Sequence, residues 1–294
     1  MKKYIDIVAD SYTGYWNYLK QEVLNPGWHN YFYWLLGLSF VVWMLEIVFP
    51  WREEQGPFRK DFWLDGFYMF FNFFLLSLIG YNAVSNVAVQ AFSDLLALFS
   101  IKNQVALHLY HLPVWSQYMI LFVLADFIQW NIHRMLHRSK TLWEFHKVHH
   151  SVEVMGFAAH LRFHWMETVI YKTIQYIPLS MIGFSLQDFF IMHIFAVAIG
   201  HLNHSNLKIS YGPLKYIFNN PVMHIWHHAR NLPDKPYGVN YGLSISAWDY
   251  IFKTAYIPFS GKNEPLGFTG VEAYPDTFFK QLIQPFKKSP NEKI

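Results

Sequence analysis

One histidine spacing occurs twice in the sequence, in two segments that are far apart along the chain. The pattern H-x-x-H-H occupies residues 146–150 and returns at residues 224–228, and the pair His133 and His137 precedes the first copy. On an α-helix, positions i, i+3 and i+4 lie on one side, so each cluster is expected to direct its imidazole rings toward a common point. Because histidine is the commonest metal ligand among side chains, the pattern predicts a polyhistidine metal centre, and the fold must bring these segments together. The residues concerned are His133, His137, His146, His149, His150, His224, His227 and His228.

The kind of metal follows from the ligand type. The chain has no cysteine, which excludes thiolate zinc sites, iron–sulfur clusters and disulfides. Neutral imidazole suits iron, zinc, copper and nickel, and so many histidines exceed what one ion takes. A site for two iron ions, with coordination positions left open for oxygen, is the most economical interpretation. A dizinc hydrolase normally includes bridging carboxylates, and the clusters contain none, although zinc is expected to substitute for iron in an isolated sample.

Other histidines are candidates to complete this site. His201 and His204 follow an apolar stretch whose end is expected near the clusters, and His160 and His164 form another i, i+4 pair. We include His164, His201 and His204 among the candidate ligands. The alternative for each of the four is a hydrogen-bonded structural histidine.

Two polar residues are candidates to support the ligands without binding metal. Asp126 lies inside an apolar stretch, where an ionisable side chain is costly and suggests a function. It precedes His133 by two helical turns, so we expect its carboxylate to accept a hydrogen bond from a ligand imidazole and to fix that ring. The alternative is a hydrogen bond between helices. Asn203 is the second candidate for a supporting role.

The composition indicates a membrane protein. Hydrophobic residues make up 53% of the chain and charged residues only 15%, against about 25% charged in an ordinary soluble domain. We expect an all-α integral membrane protein with about four transmembrane helices: two hydrophobic spans, a third that leads into His133, and a helical hairpin. The residues between the second and third stretches, 93–114, are expected to form a loop. The apolar stretches cover residues 34–49, 67–92, 114–130, 165–182 and 184–200.

The distribution of charge predicts the orientation of these helices. Lysine and arginine are concentrated in the loop after the first stretch and in the segment after the third. The histidine clusters are therefore expected on the cytoplasmic side, in a helical cap at the membrane surface. The first 30 residues lack the pattern of a cleavable signal peptide and are rich in tyrosine and tryptophan, so we expect them to lie along the membrane surface. The net charge of +3 is small and forms no basic stripe, which argues against a nucleic-acid partner.

Seven short motifs follow one another between residues 126 and 254. They are D-F-x-x-W-x-x-H-R-x-x-H at 126–137, F-H-x-x-H-H-S at 145–151, R-F-H-x-x-E at 162–167, H-S-N at 204–206, M-H-x-x-H-H at 223–228, N-Y-G at 240–242 and W-D-x-x-F-K-T at 248–254. Their order resembles that of the fatty acid hydroxylase/sterol desaturase superfamily of integral membrane enzymes, with Trp165 in place of a proline and Lys253 in place of a glycine. Residues 1–110 match only in being hydrophobic and are interpreted as N-terminal spans of a single membrane domain, residues 1–294.

The resemblance implies a non-haem diiron oxygenase that uses O2 and electrons from a separate electron-transfer protein to oxidise a lipid. Hydroxylation of a fatty acyl, sterol or related C–H bond is the leading interpretation. Lipid or sterol desaturation by the same site is the alternative, because the outcome depends on where the substrate carbon lies. A membrane metal-binding or electron-transfer protein, an alternative of another class, would instead place paired histidines on facing membrane helices. Carried over position by position, the family's metal ligands correspond to His133, His137, His146, His149, His150, His164, His204, His224, His227 and His228.

Overall fold

The computed structural model describes residues 2–28, 30–99, 109, 111–184, 186–232 and 234–287. Within these ranges the chain is helical, and its only β structure consists of two isolated bridges, one between Phe218 and Ile245 and one between Ala229 and Leu266. The predicted all-α fold class is therefore confirmed for the described residues.

The helices are connected partly by short segments with π-helical or 3-10 geometry. Two π-helical segments, Phe71–Leu75 and Ser77–Tyr81, join α3 to α4, and a third, Lys172–Tyr176, joins α7 to α8. The 3-10 segments are Phe157–Leu161, Gly212–Tyr216, Val271–Ala273 and Gln284–Phe286. The α-helices are α1 (Lys2–Leu24), α2 (Tyr31–Val48), α3 (Phe62–Phe70), α4 (Asn82–Leu98), α5 (Val114–Arg138), α6 (Lys140–His150), α7 (Trp165–Tyr171), α8 (Ile177–Met181), α9 (Leu186–Asn203), α10 (Pro221–His227), α11 (Ala247–Ile251) and α12 (Phe278–Ile283).

Two helical stretches are long and apolar enough to cross a membrane. They are α2 and the continuous stretch Phe62–Leu98, which contains α3 and α4. Only 22% of α2 is buried inside the protein, so most of its apolar side chains face outward, as expected for a helix in lipid rather than for a core helix. The second stretch exceeds the ~20 residues that a span needs, and its helix is interrupted at Gly80. These two helices agree with the two predicted N-terminal spans.

The third predicted span and the predicted hairpin correspond to α5 and to the segment from α7 to α9. The hairpin turns at Gly183, whose φ of 90° lies in the left-handed region that glycine adopts without steric cost. The crossing of a membrane by these elements stays a prediction. The predicted loop at 93–114 is helical as far as Leu98, and residues 100–108 and 110 lie outside the described residues.

The N-terminal segment is a helix that packs along α4 in antiparallel orientation. The Nζ of Lys3 lies 2.8 Å from a carboxylate oxygen of Asp94, and the Nδ2 of Asn86 donates to the Oγ of Ser11 at 2.8 Å. Polar contacts therefore join the two helices. Ile5, an apolar residue of α1, is 63% exposed. The predicted surface segment therefore has a specific helical partner.

A single residue separates the end of α5 from the start of α6. The chain changes direction at this residue, and the change positions the histidines of both helices. Ser139 lies between the two helices, and its side chain accepts a hydrogen bond from the backbone N–H of Leu142, which caps α6. Helix α10 begins in a similar way, with Asn220 as its N-cap and Pro221 in its first turn. Local capping thus fixes where both helices that carry H-x-x-H-H begin.

A buried ionic network joins the start of α3 to the segment that follows α6. The guanidinium of Arg162 lies 3.0 Å from Asp61 and 3.1 Å from Asp65, and it donates to the Oγ of Ser151 at 2.8 Å. Arg59 forms a second ion pair with Asp65. The sequence patterns gave no indication of this network, because its acidic and basic members lie in different segments.

Candidate metal centre

Nine histidines converge into two adjacent groups. In each group the candidate ligand nitrogens, one from each residue, all lie within 4.8 Å of one another. The groups are in contact, since the ring centroids of His150 and His228 are 4.4 Å apart. Group A consists of His133, His137, His146, His150 and His227; group B consists of His149, His204, His224 and His228.

Each copy of H-x-x-H-H is divided between the two groups. In the first copy, His146 and His150 belong to group A and His149 to group B. In the second copy the i, i+4 pair belongs to group B, whereas His227 belongs to group A. Consecutive helical positions differ by about 100° around the axis, so the two adjacent histidines of a copy face different points. The expectation that each cluster points at one centre is therefore corrected: every copy contributes to both groups.

Backbone carbonyl groups orient four of these nine imidazoles through their Nδ1 atoms. A carbonyl oxygen only accepts, so an Nδ1 facing one carries the proton, and its Nε2 lone pair is left for another partner. In His146 the acceptor is a carboxylate, because its Nδ1 lies 2.8 Å from Glu167 Oε2. The carbonyl partners are Tyr241 for His133 at 2.8 Å, Arg162 for His149 at 3.1 Å, Gly200 for His204 at 2.8 Å and Val239 for His227 at 2.7 Å.

The nitrogens that face the centre lack ordinary hydrogen-bond partners. Within the described part of the chain, the Nε2 atoms of His133, His137 and His146 are buried without a partner. Elsewhere Nε2 atoms face one another, as in His204 and His224 at 3.0 Å. Burying an unpaired polar atom is costly, and a cation among converging lone pairs would remove that cost. The donor set, which is all imidazole, fits iron or zinc.

Burial keeps the histidines of the two groups in the neutral form, which is the form that binds metal. Desolvation is the largest cause that lowers the pKa of His149, His150, His224, His227 and His228 well below the usual histidine value. Neighbouring histidines lower the pKa of each further, because a second positive charge nearby is unfavourable. The rings are therefore unprotonated near neutral pH, as metal coordination requires.

Two predicted ligands are not brought into either group. Both ring nitrogens of His164 have other partners: Nδ1 accepts from the backbone N–H of Met166 at 3.1 Å, and Nε2 lies 3.0 Å from the carbonyl oxygen of Leu282. His164 therefore caps α7. The Nε2 of His201 lies 3.1 Å from Ser39 Oγ, and its other nitrogen faces His160. The ligand predictions for His164 and His201 are corrected to structural roles, and His204 is in group B as predicted.

Asp126 and Asn203 support the site through a loop and not through direct contact with an imidazole. The carboxylate of Asp126 accepts hydrogen bonds from the backbone N–H groups of Ser244 and Ile245 and from the indole of Trp248 at 3.0–3.2 Å, not from an imidazole. Asn203 donates to the carbonyl oxygen of Leu243 at 2.6 Å. Both residues hold the loop that follows α10.

Two supporting carboxylates were not singled out in the sequence. One is Glu167, which holds His146. The other is Asp249, which accepts from the backbone N–H groups of Tyr241 and Gly242 and from the indole of Trp130 at 2.8–3.0 Å. A side chain at Gly242 would come within 2.5 Å of a backbone oxygen, so this turn requires glycine. The N-Y-G and W-D motifs were signals of this arrangement, although the sequence did not reveal that they contact each other.

A cavity of about 390 Å³ extends from the histidines to residues of the N-terminal helices. At one end it is lined by histidines of both groups, including His146 and His149. From His204 it follows α9 back to Phe190, which corresponds to roughly 20 Å at 1.5 Å per residue. Aromatic side chains dominate the far part of its wall, where Tyr31 and Phe73 lie.

The fold and the site together define a class: all-helical proteins with apolar spans and a polyhistidine centre at the end of an apolar cavity. Residues 118–254 match the family model for fatty acid hydroxylase. An ornithine lipid hydroxylase, OlsE of Rhizobium tropici, is 33% identical over 182 residues, which are 62% of this chain and 54% of the relative. These matches support the predicted resemblance of residues 126–254 to the fatty acid hydroxylase/sterol desaturase superfamily.

Further relatives carry other names. The alkylglycerol monooxygenase of Danio rerio is 27% identical over 254 residues, which are 83% of this chain and 52% of the relative. A very-long-chain aldehyde decarbonylase, GL1-5 of Oryza sativa subsp. indica, is 29% identical over 163 residues, which are 49% of this chain and 25% of the relative. The chain thus spans about half, or less, of the length of these relatives. No solved structure matches it significantly.

Proposed function

We propose that the chain is an O2-dependent membrane oxygenase that hydroxylates a lipid C–H bond at two iron ions, one held by group A and one by group B. The observation that carries this proposal is the meeting of two buried all-imidazole groups with an apolar cavity. The names of relatives such as the ornithine lipid hydroxylase and the alkylglycerol monooxygenase agree in describing oxidation of lipids.

The nine histidines of the two groups would hold the metal, and zinc could replace iron because it also binds imidazole strongly. When bound, the ions would supply the oxygen chemistry that oxidises an unactivated C–H bond, which side chains alone do not perform. Electrons would come from a separate electron-transfer protein.

The protein's own residues would position the ligands and exclude water. Backbone carbonyls and Glu167 fix the imidazoles, so that little reorganisation is needed on metal binding. The phenyl rings around the cavity would hold an aliphatic chain by dispersion and desolvation, which orients the reacting carbon and keeps bulk water away.

The membrane arrangement of this proposal has four spans and places the histidine cap on the cytoplasmic side. The outward-facing apolar side chains of α2 support immersion in lipid, and Phe40 and Val48, at 58% and 63% exposure, are examples. A lipid would then reach the cavity without leaving the bilayer.

The relative named as an aldehyde decarbonylase indicates that this superfamily supports more than one outcome at a related site. Desaturation therefore stays the alternative reaction, and membrane metal binding or electron transfer without catalysis stays the alternative of another class. The position of the substrate carbon relative to the metal would decide between hydroxylation and desaturation.

Lipid mass spectrometry tests the proposal. Lipids from cells that express the chain should contain a species heavier by one oxygen atom, which is absent when His149→Ala is expressed at the same level. Loss of two hydrogens instead would indicate desaturation. An unchanged lipid profile with iron-loaded protein and a supplied reductant would contradict the oxygenase function.

A further inference from the structure

Lys172 is the cationic residue in the wall of the apolar cavity, as far as the described residues define that wall. It belongs to the π-helical segment Lys172–Tyr176, and its Nζ lies 4.6 Å from the ring centroid of Tyr81. The carboxylates that also line the cavity have other partners: Glu167 faces His146, and Asp126 accepts from backbone N–H groups. No ion pair joins Lys172 to an acidic residue among the described residues.

The position of Lys172 along its helix sets its distance from the histidines. Glu167 contacts the Nδ1 of His146, and Lys172 follows it by five residues. At a rise of ~1.5 Å per residue, this spacing corresponds to roughly 7 Å along the helix. Lys172 lines the same cavity as the histidines and as Tyr31 and Phe73.

An ammonium group without an acidic partner is costly in such surroundings. A tyrosine ring compensates only part of the lost hydration, because the cation–π attraction is small compared with full desolvation of a charge. Ionisable residues at membrane depth are rare and usually act on a ligand or another charge. A ligand that brings its own negative charge into the cavity would compensate the ammonium.

We propose that Lys172 binds an anionic group of the lipid substrate, a carboxylate or a phosphate, inside the cavity. This inference rests on the proposed function only in treating the cavity as the substrate site. It places the anionic group of the lipid beside Lys172. Lys172 is thus a specificity-determining residue for the class of lipid.

Equilibrium binding to the purified, metal-loaded full chain, without reductant, tests the inference. The probes are palmitate and lysophosphatidate as anionic lipids, with palmityl alcohol and a monoacylglycerol as neutral counterparts. Lys172→Met should weaken binding of an anionic probe about tenfold or more, since a charge-assisted hydrogen bond is lost, and change binding of its neutral counterpart less than about twofold. Lys172→Arg should retain the preference, and Lys280→Met, an exposed lysine on α12, is the matched control.

The outcomes separate this inference from the oxygenase function. A preference for palmitate would identify a carboxylate ligand, and a preference for lysophosphatidate a phosphate ligand. Equal weakening of anionic and neutral probes by Lys172→Met, or no weakening at all, would overturn the inference even if lipid oxidation is observed. Charge-selective binding that depends on Lys172 in a protein without oxygenase activity would support the inference and contradict only the proposed reaction.

Discussion

The histidine region, residues 126–254, and the N-terminal helices, residues 2–98, are stabilised in different ways. In the histidine region, many buried polar side chains are held by specific hydrogen bonds, as when Asp249 holds the turn at Tyr241. In the N-terminal helices, α2 exposes most of its apolar side chains, and the contacts between α1 and α4 include an exposed ion pair between Lys3 and Asp94. The positions of the imidazoles in the histidine region therefore depend on individual hydrogen bonds, whereas the exposed apolar surface of α2 calls for hydrophobic surroundings.

The largest effect is expected when a ligand is removed from the histidine region. His227→Ala should abolish lipid oxidation and reduce the bound metal, because group A loses a nitrogen that no neighbouring side chain replaces. Metal analysis and product detection on the same preparation provide the measurement. His164→Ala is the matched control and should retain metal, since His164 lies outside both groups. Full activity in His227→Ala would remove that residue from the ligand set.

The second effect concerns the junction between the two regions. Arg162→Met leaves Asp65 with one of its two cations, and breaking a buried ion pair in this way should lower the free energy of unfolding by about 3–5 kcal/mol. Thermal unfolding in detergent measures the change. Arg230→Met removes an arginine whose acidic partner is exposed, and it should unfold close to the wild type. Equal effects of the two substitutions would show that burial of the network is unimportant.

A smaller effect is expected from a supporting carboxylate. Glu167→Ala removes the acceptor that orients His146, and metal affinity should fall about 10- to 100-fold without loss of the fold. Competition with a chelator at fixed metal concentration gives the affinity. Glu144→Gln alters a carboxylate that pairs with Lys147 on the same helix, outside both histidine groups, and should leave the affinity unchanged. An unchanged affinity in Glu167→Ala would mean that the His146 ring is oriented by packing alone.

The smallest effect is expected at the contact between α1 and α4. Asp94→Asn weakens an exposed contact with Lys3, and exposed ion pairs contribute little to stability. Thermal unfolding should therefore be indistinguishable from that of the wild type. A clear loss of stability would show that the N-terminal helices rely on specific polar contacts as strongly as the histidine region does.

The sequence predicted which histidines converge because metal binding restricts residue type and spacing locally. His133, His137 and the two H-x-x-H-H copies were found in this way, and His204 followed from its position after an apolar stretch. The division of each copy between two groups was missed, although the angle between adjacent helical positions implied that neighbouring histidines diverge. His164 was misassigned because a spacing does not show that its ring would cap α7 instead.

Contacts between distant segments were the part that the sequence did not reveal. Asn86 was visible as a polar residue in an apolar stretch, but its partner Ser11 lies in another helix. Asp126 was predicted to have a function because an ionisable group is costly in apolar surroundings, yet its partners include the backbone N–H groups of residues 244–245 and no imidazole. Such pairings depend on the tertiary fold, and no local pattern encodes them.

We propose that the two divided copies of H-x-x-H-H build two separate metal sites. The decisive measurement is the metal content per chain of iron-reconstituted protein and of the variants His146→Ala and His224→Ala. About two ions per wild-type chain are expected, with preferential loss of one ion in each variant, from group A in the first and from group B in the second. A single ion per chain in the wild type, lost equally in both variants, would contradict it.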